Sequence, residues 1–367
     1  WGTPLPIWRT EDGQEEICIG SIAELMEEID KSIKAGFMTE NPFAKHVVGD
    51  YSKENYDPSV IDLHRPYVDY IVLCSPSGKP MKRELDLIDV WFDSGAMPYA
   101  QNHYPFENQD APRTADFISE GVDQTRGWFF TLHAIHTMIE GSVAYKNVIS
   151  NGLVLDKNGN KMSKRLGNAV DPFGALDKYG ADAVRWYMLT NSSPWENLKF
   201  DPEGVDEIRR KFFGTLYNTY GFFALYANVD GWNPELIANR QSPIANRLTE
   251  IDKWILSRLN SLIKEVTSAY EAYEPTKAGR AISDFVQDDL SNWYVRLNRK
   301  RFWGGEMDAD KQAAYYTLYT CLKTVAQLMA PNAPFYGDRL YRDLTGETVH
   351  LSQWPVADEA LINLDLG

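Results

Sequence analysis

The chain has 367 residues, of which 44% are hydrophobic and 13% aromatic, enough for about two domains with well-packed cores. Its net charge of −15 argues against general nucleic-acid binding, although basic residues can still cluster locally. No apolar run approaches the roughly 18 residues of a membrane span, and three scattered cysteines (Cys18, Cys74 and Cys321) exclude a disulfide framework and fit a reducing, cytoplasmic compartment.

The first 200 residues predict an α/β arrangement. Residues 22–33 have the spacing of an amphipathic helix, and residues 41–85, rich in Pro, Asp and Tyr, are interpreted as an irregular insertion. Four elements follow in the order strand, helix, strand, helix: residues 115–121, 128–139, 146–155 (one or two strands) and 180–190. This order is typical of a parallel sheet, whose ligands bind beyond the carboxyl ends of the strands. Residues 120–124 and the loop after Leu155 should therefore lie near a site.

The sequence after residue 200 predicts a helical bundle. Asp201, Pro202 and Glu203 suit a helix start. Four apolar stripes at helical spacing follow, which we interpret mainly as core, with a binding surface as the alternative. Their members are Val205, Ile208, Phe212 and Leu216; Ile251, Ile255, Leu259, Leu262 and Val266; Ile282, Phe285, Leu290, Trp293 and Leu297; and Tyr315, Leu318, Leu322, Val325 and Met329.

Two basic stretches, residues 209–211 and 296–301, interrupt this acidic chain. Each is equally compatible with a solvated helix face and with a contact to RNA, and the second is the first candidate for mutation. His133 and His136 stand three residues apart on the predicted helix, but no third metal ligand accompanies them. Packing or a surface position is the simpler interpretation, so no metal-binding residue is predicted.

The most informative local segment is GLVLDKNGNKMSKRLGN, residues 152–168. A turn leads into two lysines three residues apart, Lys161 and Lys164. Ammonium groups placed in this way would stabilise the negative charge that develops on a phosphoryl group and on departing pyrophosphate. On spacing alone, a solvated basic turn is the more economical interpretation.

This segment resembles the KMSKS loop of the class I aminoacyl-tRNA synthetases, with Arg165 where the family pattern has Ser. Residues 118–128 (ISEGVDQTRGW) and 89–95 (DVWFDSG) are similar to segments of the isoleucine-specific members. Residues 1–6 (WGTPLP) resemble the segment that re-enters the catalytic domain after the editing insertion. Residues 330–335 (APNAPF) resemble the close of the anticodon-binding bundle. The motifs span nearly the whole chain in the family's order.

The resemblance implies a partial Rossmann-like parallel sheet, the second half of a class I catalytic domain, over residues 1–200. An all-α anticodon-binding bundle, truncated at its C-terminal side, would occupy residues 201–367. The parent would activate L-isoleucine with ATP and Mg²⁺ and transfer it to tRNA(Ile), without a membrane partner. The HIGH motif does not occur in the sequence, and the editing domain should lie upstream of Trp1. We therefore expect part of a longer protein, inactive by itself.

The resemblance also implies residue roles. Lys161 and Lys164 would act as catalytic cations on the ATP phosphates. Glu120 would bind the α-ammonium group of the amino acid, and Trp91 and Trp128 would wall its side-chain pocket, although core tryptophans are the alternative. The remaining predicted contacts are Met162, Ser163 and Arg165 to ATP, Gly121 and Asp123 to ATP and the adenylate, and Gln124 to the adenylate.

Two alternatives remain open. The chain could be a helical RNA-binding module with a vestigial α/β part, which the missing HIGH motif would favour. It could also be a nucleotidyltransferase of similar fold without a tRNA partner, which the helical bundle disfavours.

Overall fold

A computed structural model of the protein describes residues 2–234 and 247–366. Trp1 of the opening motif, residues 235–246 and Gly367 of the predicted bundle lie outside the described residues. The chain divides into two compact units. The first comprises Trp1–Ile118 and Asp123–Val148, and the second comprises Ser119–Val122 and Ile149–Gly367.

The first unit contains a four-stranded antiparallel sheet in the order β2-β1-β4-β3. Helix α1 (Ile22–Lys34) confirms the predicted helix and packs on this sheet. Ser21 caps α1 by accepting a hydrogen bond from Glu24 N at 3.1 Å, and Lys31 and Lys34 face the negative end of its dipole. The strands are β1 (Ile7–Thr10), β2 (Glu16–Cys18), β3 (Val72–Cys74) and β4 (Pro80–Arg83).

The interpretation of residues 41–85 as an irregular insertion is wrong for its C-terminal half, which supplies β3 and β4. Met81 of β4 pairs with Thr10, and the Trp8 indole donates to the Ile71 carbonyl at 3.0 Å. The Arg83 side chain is buried against Asp69. Strand β3 pairs with β4 nearby in the chain, and β4 pairs with β1 some 70 positions earlier. Strands this short depend on such partners, so their own composition does not reveal them.

The rest of the first unit carries three helices that follow the sheet. Gly95 lies so close to α4 that a Cβ there would be 2.8 Å from the Thr131 backbone. Tyr145 forms a parallel bridge with Ala115, and β5 pairs with β6. The elements that follow β4 are α2 (Val90–Gly95), α3 (Met97–Ala100), β5 (Ile118–Gly121), a 3-10 turn (Val122–Arg126), α4 (Trp128–Glu140) and β6 (Val148–Asn151). All but the first residue of β5 and of β6 belong to the second unit.

The second unit begins with short parallel pairing and continues as helices. Strands β7 (Val154–Leu155) and β8 (Leu198–Lys199) are parallel, so the predicted parallel sheet is present as two-stranded pieces. The strands predicted around Gly152 and the helix predicted at residues 180–190 are confirmed by β6, β7 and α6. The helices between β7 and β8 are α5 (Pro172–Tyr179) and α6 (Ala181–Thr190).

The bundle confirms the predicted helical stripes, with Pro331 following the end of α12. Its largest cluster includes Phe212, Leu259 and Leu322, each at most 2% exposed. The helices are α7 (Pro202–Ile208), a π-helical segment (Arg209–Phe213), α8 (Gly214–Val229), α9 (Glu250–Glu271), α10 (Pro275–Asp284), a second π-helical segment (Phe285–Val295), α11 (Arg296–Trp303), α12 (Ala309–Met329) and α13 (Pro334–Thr345).

Two members of the third stripe are not core residues. Trp293 and Leu297 are each 60% exposed. The π-helical segment has wider turns than an α-helix, and its buried residues Phe285, Leu290 and Val295 recur every five residues. This change of register turns Trp293 and Leu297 towards solvent.

Candidate functional site

The predicted ATP loop leaves β7 through a tight turn. Asp156 N–H donates to the Asn160 carbonyl at 2.9 Å, and Gly159 N–H donates to the Asp156 carbonyl at 2.9 Å. Gly159 has a φ of 86°, a conformation that side chains rarely adopt. Leu155 and Lys161 then face each other across an antiparallel bridge. The turn therefore returns the chain beside the end of the strand before the predicted phosphate-binding residues begin.

One amide side chain holds the backbone of this loop. Asn168 donates from Nδ2 to the Lys161 carbonyl at 3.2 Å, and its Oδ1 accepts from Ser163 N at 2.9 Å. Asn168 Nδ2 also donates to Asp156 Oδ2 at 3.0 Å. Asp156 and Asn168 were not among the predicted site residues, although the turn and the Gly-Asn pair around the lysines were visible signals. Together they fix the backbone on both sides of Met162.

The predicted phosphate-binding side chains differ in their surroundings. Lys161 and Arg165 are exposed, and within the described ranges neither cation has a carboxylate partner. Met162 is half-buried against the cluster that contains Val205. The backbone of Lys164 begins a 3-10 turn, but its side chain lies outside the described residues. Lys161 therefore offers an uncompensated positive charge next to a braced backbone.

The first unit brings together three of the predicted pocket residues around Gly127. A Cβ on Gly127 would lie 2.7 Å from Gln124 Oε1 and 3.0 Å from Trp91 Cη2. Gln124 Oε1 also accepts from Trp128 N at 3.0 Å, which caps α4. The Trp128 indole donates to the Ser94 carbonyl at 3.0 Å. Trp91 is partly exposed, and Trp128 is half-buried against the cluster that contains Phe129, so neither ring is fully buried.

The residues predicted to contact the amino acid and the adenylate through polar groups lie on β5 and in the 3-10 turn that follows it. Glu120 is exposed and Gly121 ends the strand, both in the segment Ser119–Val122 that belongs to the second unit. Asp123 is exposed in the first unit, where its Oδ2 accepts from Gln124 Nε2 at 3.1 Å. Gln124 thus uses its amide oxygen on the helix and its amide nitrogen on Asp123.

The histidine pair on α4 has a packing role at its buried member. His136 is buried with Nδ1 2.9 Å from the Tyr99 hydroxyl, and burial lowers the pKa of its imidazole. His133 is exposed and lies beside the Tyr145 ring. Among residues 2–234 and 247–366, no group of three or more His, Cys, Asp or Glu is arranged to hold a metal ion.

The two basic stretches of the helical part divide into paired and unpaired cations. Arg209 and Arg210 both bind Asp206, and Lys211 binds Glu207. In the other stretch, Arg301 is turned inward, with its side chain 13% exposed and bound to Asp252 and Asp310. Arg301 is therefore a structural residue, and the interpretation of the whole stretch 296–301 as a solvated or RNA-facing surface is wrong at this position.

Exposed residues in that stretch and on either side of it form a stripe, which we call the α11 face. It combines apolar side chains with cations that have no ion-pair partner in the described part of the chain. Trp293 and Leu297 are 60% exposed and Trp303 is 55% exposed. Their spacing places them on one side of the helix. The α11 face comprises Trp293, Arg296, Leu297, Arg299, Lys300 and Trp303.

Two family models match the chain. The model "tRNA synthetases class I (I, L, M and V)" matches residues 1–201, and the model "Anticodon-binding domain of tRNA ligase" matches residues 252–366. No helix among the described residues is long and apolar enough to cross a membrane.

Curated relatives match the chain at high identity. The isoleucine--tRNA ligase of Porphyromonas gingivalis is 67% identical over 99% of the chain, and that of Thermus thermophilus is 45% identical over 98%. The chain spans about a third of these relatives, 32% and 33% of their respective lengths.

Solved structures share the fold. A ternary complex of Agrobacterium radiobacter LeuRS, tRNA and LeuAMS matches with a TM-score of 0.65 at 20% identity, covering 99% of this chain and 42% of that one. Mycobacterium tuberculosis methionyl-tRNA synthetase in complex with methionyl-adenylate matches with a TM-score of 0.53 at 19% identity, covering 86% of this chain and 61% of that one.

Proposed function

Because the chain belongs to the class I tRNA synthetases, we propose that it supplies the ATP loop and an RNA-binding bundle to an enzyme that activates L-isoleucine and transfers it to tRNA(Ile). The observation that carries the proposal is the braced loop with the unpaired Lys161 cation. The names of the relatives, from 45% to 67% identical over nearly the whole chain, support isoleucine as the substrate. We place the division between catalytic part and bundle between residues 200 and 201.

In the first step, an isoleucine carboxylate oxygen attacks the α-phosphorus of ATP. A new P–O bond forms, the bond to the bridging oxygen breaks, and pyrophosphate leaves with the electron pair. Lys161 and Lys164 would stabilise the charge on the phosphates, with Met162, Ser163 and Arg165 shaping the loop around them. Mg²⁺ would accompany the ATP phosphates. In the second step, a tRNA hydroxyl attacks the acyl carbon and AMP leaves.

The amino acid and the adenylate would bind through the remaining predicted residues. Glu120 would pair with the α-ammonium group, a charge-assisted contact at a strand end. Trp91 and Trp128 would present flat apolar faces to the branched side chain, with Gly127 keeping Trp91 close to the helix start. Gly121, Asp123 and Gln124 would contact the adenylate.

Replacing Lys161 tests the catalytic proposal. In the enzyme at the full length of its relatives, Lys161→Ala should lower kcat for isoleucine-dependent pyrophosphate exchange by about 100-fold, because one preorganised charge on the phosphates is lost. Lys157→Ala is the matched control, since Lys157 is an exposed lysine of the same segment. Equal rates for the two variants would refute the assigned role, and a preference for valine or leucine in an amino-acid panel would refute the isoleucine assignment.

The α11 face is our proposed contact for tRNA. Exposed aromatic rings can stack on unpaired bases, and unpaired cations can neutralise phosphates. The Trp254 and Trp293 ring centres lie 6.4 Å apart, which extends the aromatic surface onto α9. This surface is basic, whereas the whole chain has a net charge of −15. It lies within the residues that match the anticodon-binding model.

Fluorescence titration of the 367-residue chain with tRNA(Ile) tests this contact. Trp293→Ala should weaken binding by about tenfold or more, the loss expected for one stacked base. Lys300→Ala should reduce the slope of log affinity against log salt by about one. Trp195→Ala is the control, because Trp195 is a 51% exposed tryptophan of the same unit outside the α11 face. Unchanged binding by both α11 variants would place the RNA elsewhere.

A further inference from the structure

The carboxylate of Asp156 controls which way the Asn168 amide points. Asp156 Oδ1 accepts from Asn158 N at 2.9 Å and from Asn160 N at 2.8 Å, while Oδ2 faces Asn168 Nδ2 at 3.0 Å. These hydrogen bonds, led by the one from Asn168, hold the pKa of Asp156 below its ordinary value. The group therefore stays an ionised acceptor around neutral pH, without a proton to donate.

This polarity has a consequence for the loop backbone. An ionised carboxylate can only accept hydrogen bonds, so it requires the NH₂ group of Asn168 on its side. The amide oxygen of Asn168 must then point the other way, where it accepts from Ser163 N at 2.9 Å. The same NH₂ group reaches the Lys161 carbonyl at 3.2 Å. The charge in the turn thus favours the same amide orientation as the two hydrogen bonds that flank Met162.

We propose that Asp156, acting through the Asn168 amide, is a positioning residue that sets the backbone of the ATP loop at Met162 before ATP binds. The inference rests on the proposed function of the loop. Neither side chain needs to touch the nucleotide. Asp156 and Asn168 would reduce the conformational freedom that Lys161 loses when it closes on the phosphates, so that less binding energy is spent on ordering the loop.

Exchanging the polarity of the pair gives a specific test. In Asp156→Asn, the new side-chain NH₂ group must face another donor, either the Asn168 NH₂ group or the backbone N–H groups of Asn158 and Asn160. In Asn168→Asp, two carboxylates face each other. Each single variant should raise the KM for ATP in pyrophosphate exchange by about tenfold, as expected for the loss of one charge-assisted hydrogen bond. The KM for isoleucine should stay within about twofold of the parent value.

The double variant Asp156→Asn/Asn168→Asp restores a donor opposite an acceptor, with a carboxylate still available to Ser163 N. It should recover part of the lost ATP affinity, through the contact to Ser163 N but not the one to the Lys161 carbonyl, because a carboxylate cannot donate to that carbonyl. Merely additive losses would give no recovery at all. Asn158→Ala is the control, because the hydrogen bond from Asn158 to Asp156 comes from its backbone N–H, which the substitution retains. The proposal would be overturned if the KM for ATP of the double variant were as high as that of the worse single variant. It would also be overturned if the single variants had the KM of the parent.

Amide hydrogen exchange in the 367-residue chain gives a readout that does not depend on activity. Asn168→Ala should accelerate exchange at Ser163 N by about tenfold while leaving amides of α12 unchanged. Unchanged exchange at Ser163 would refute the positioning role even if the enzyme is active. An inactive parent enzyme with accelerated exchange in the variant would instead refute the proposed function and leave the positioning of the loop supported.

Discussion

Replacing Arg301 by Ala should destabilise the helical bundle far more than replacing its neighbour Arg299. The Arg301 guanidinium donates to both oxygens of Asp252 at 2.8 Å and to Asp310 at 2.8 and 2.9 Å. The Asp252 side chain is completely buried and also accepts from the Tyr294 hydroxyl at 2.6 Å. Arg301 therefore neutralises a carboxylate that water cannot reach.

The magnitude follows from leaving that carboxylate unpaired. Removing one partner of a buried ion pair costs about 3–5 kcal/mol, whereas an exposed surface substitution such as Arg299→Ala stays within about 0.5 kcal/mol. Burial alone would raise the pKa of Asp252, but the hydrogen bonds from Arg301, Tyr294 and Thr249 outweigh it and hold the pKa below its ordinary value. The stabilisation from ionised Asp252 is complete at pH values above its pKa in the unfolded chain. It is lost as pH falls through its lower pKa in the folded protein.

Urea unfolding followed by thiol labelling would measure the effect in the bundle itself. Cys321 is fully buried in the bundle, whereas Cys18 is exposed and Cys74 partly exposed. The slowest-labelling thiol should therefore report opening of the bundle. Arg301→Ala should lower the free energy of unfolding at pH 7 by about 3 kcal/mol or more, with the Arg299→Ala midpoint unchanged.

A further variant separates the charge from the packing of the arginine stem. Arg301→Met retains the apolar bulk of the side chain but leaves the Asp252 carboxylate without its cation. The double variant Asp252→Asn/Arg301→Met removes both charges. The double variant should be more stable than Arg301→Met, because the uncompensated carboxylate is gone. A loss below about 1 kcal/mol in Arg301→Ala, or equal stability of Arg301→Ala and Arg299→Ala, would refute this account of the ion pair.

Two further predictions concern a close approach and a buried acid. Gly127→Ala should raise the KM for isoleucine by about tenfold or more without changing the KM for ATP, because the new Cβ would displace Trp91 or Gln124. Gly221→Ala is the control, since Gly221 lies at an open helical position. Equal kinetics in the two variants would contradict this prediction. Burial raises the pKa of Asp182, whose Oδ1 has no hydrogen-bond partner among residues 2–234 and 247–366. The contribution of Asp182 to stability should therefore decrease as pH rises from about 3.9, the ordinary pKa of an aspartate, through its higher pKa in the folded protein. Asp182→Asn should remove this dependence, and urea midpoints at pH 4.5 and 7.5 that shift equally in parent and variant would contradict it.

The sequence by itself determined most of the helices and the identity of the motifs. The periodicity of α1, α9 and α12 involves neighbours three and four residues apart, so it can be read without knowledge of any distant contact. The KMSKR loop and the ISEGVDQTRGW segment were recognisable for the same reason, since each is a continuous stretch of chain. The family model that matches residues 1–201 confirms the family that these motifs indicated.

Tertiary structure alone decided the features that depend on residues far apart or on a change of helical register. Strands β3 and β4 are too short to be recognised before they pair with each other and β4 pairs with β1. The π-helical segment Phe285–Val295 turned Trp293 outward against the α-helical spacing, and Asp252 drew Arg301 inward while Arg299 stayed in solvent. For β4 and for Arg301 the deciding contribution comes from a distant partner, β1 for the strand and the buried Asp252 for the arginine, and no local pattern encodes such a partner.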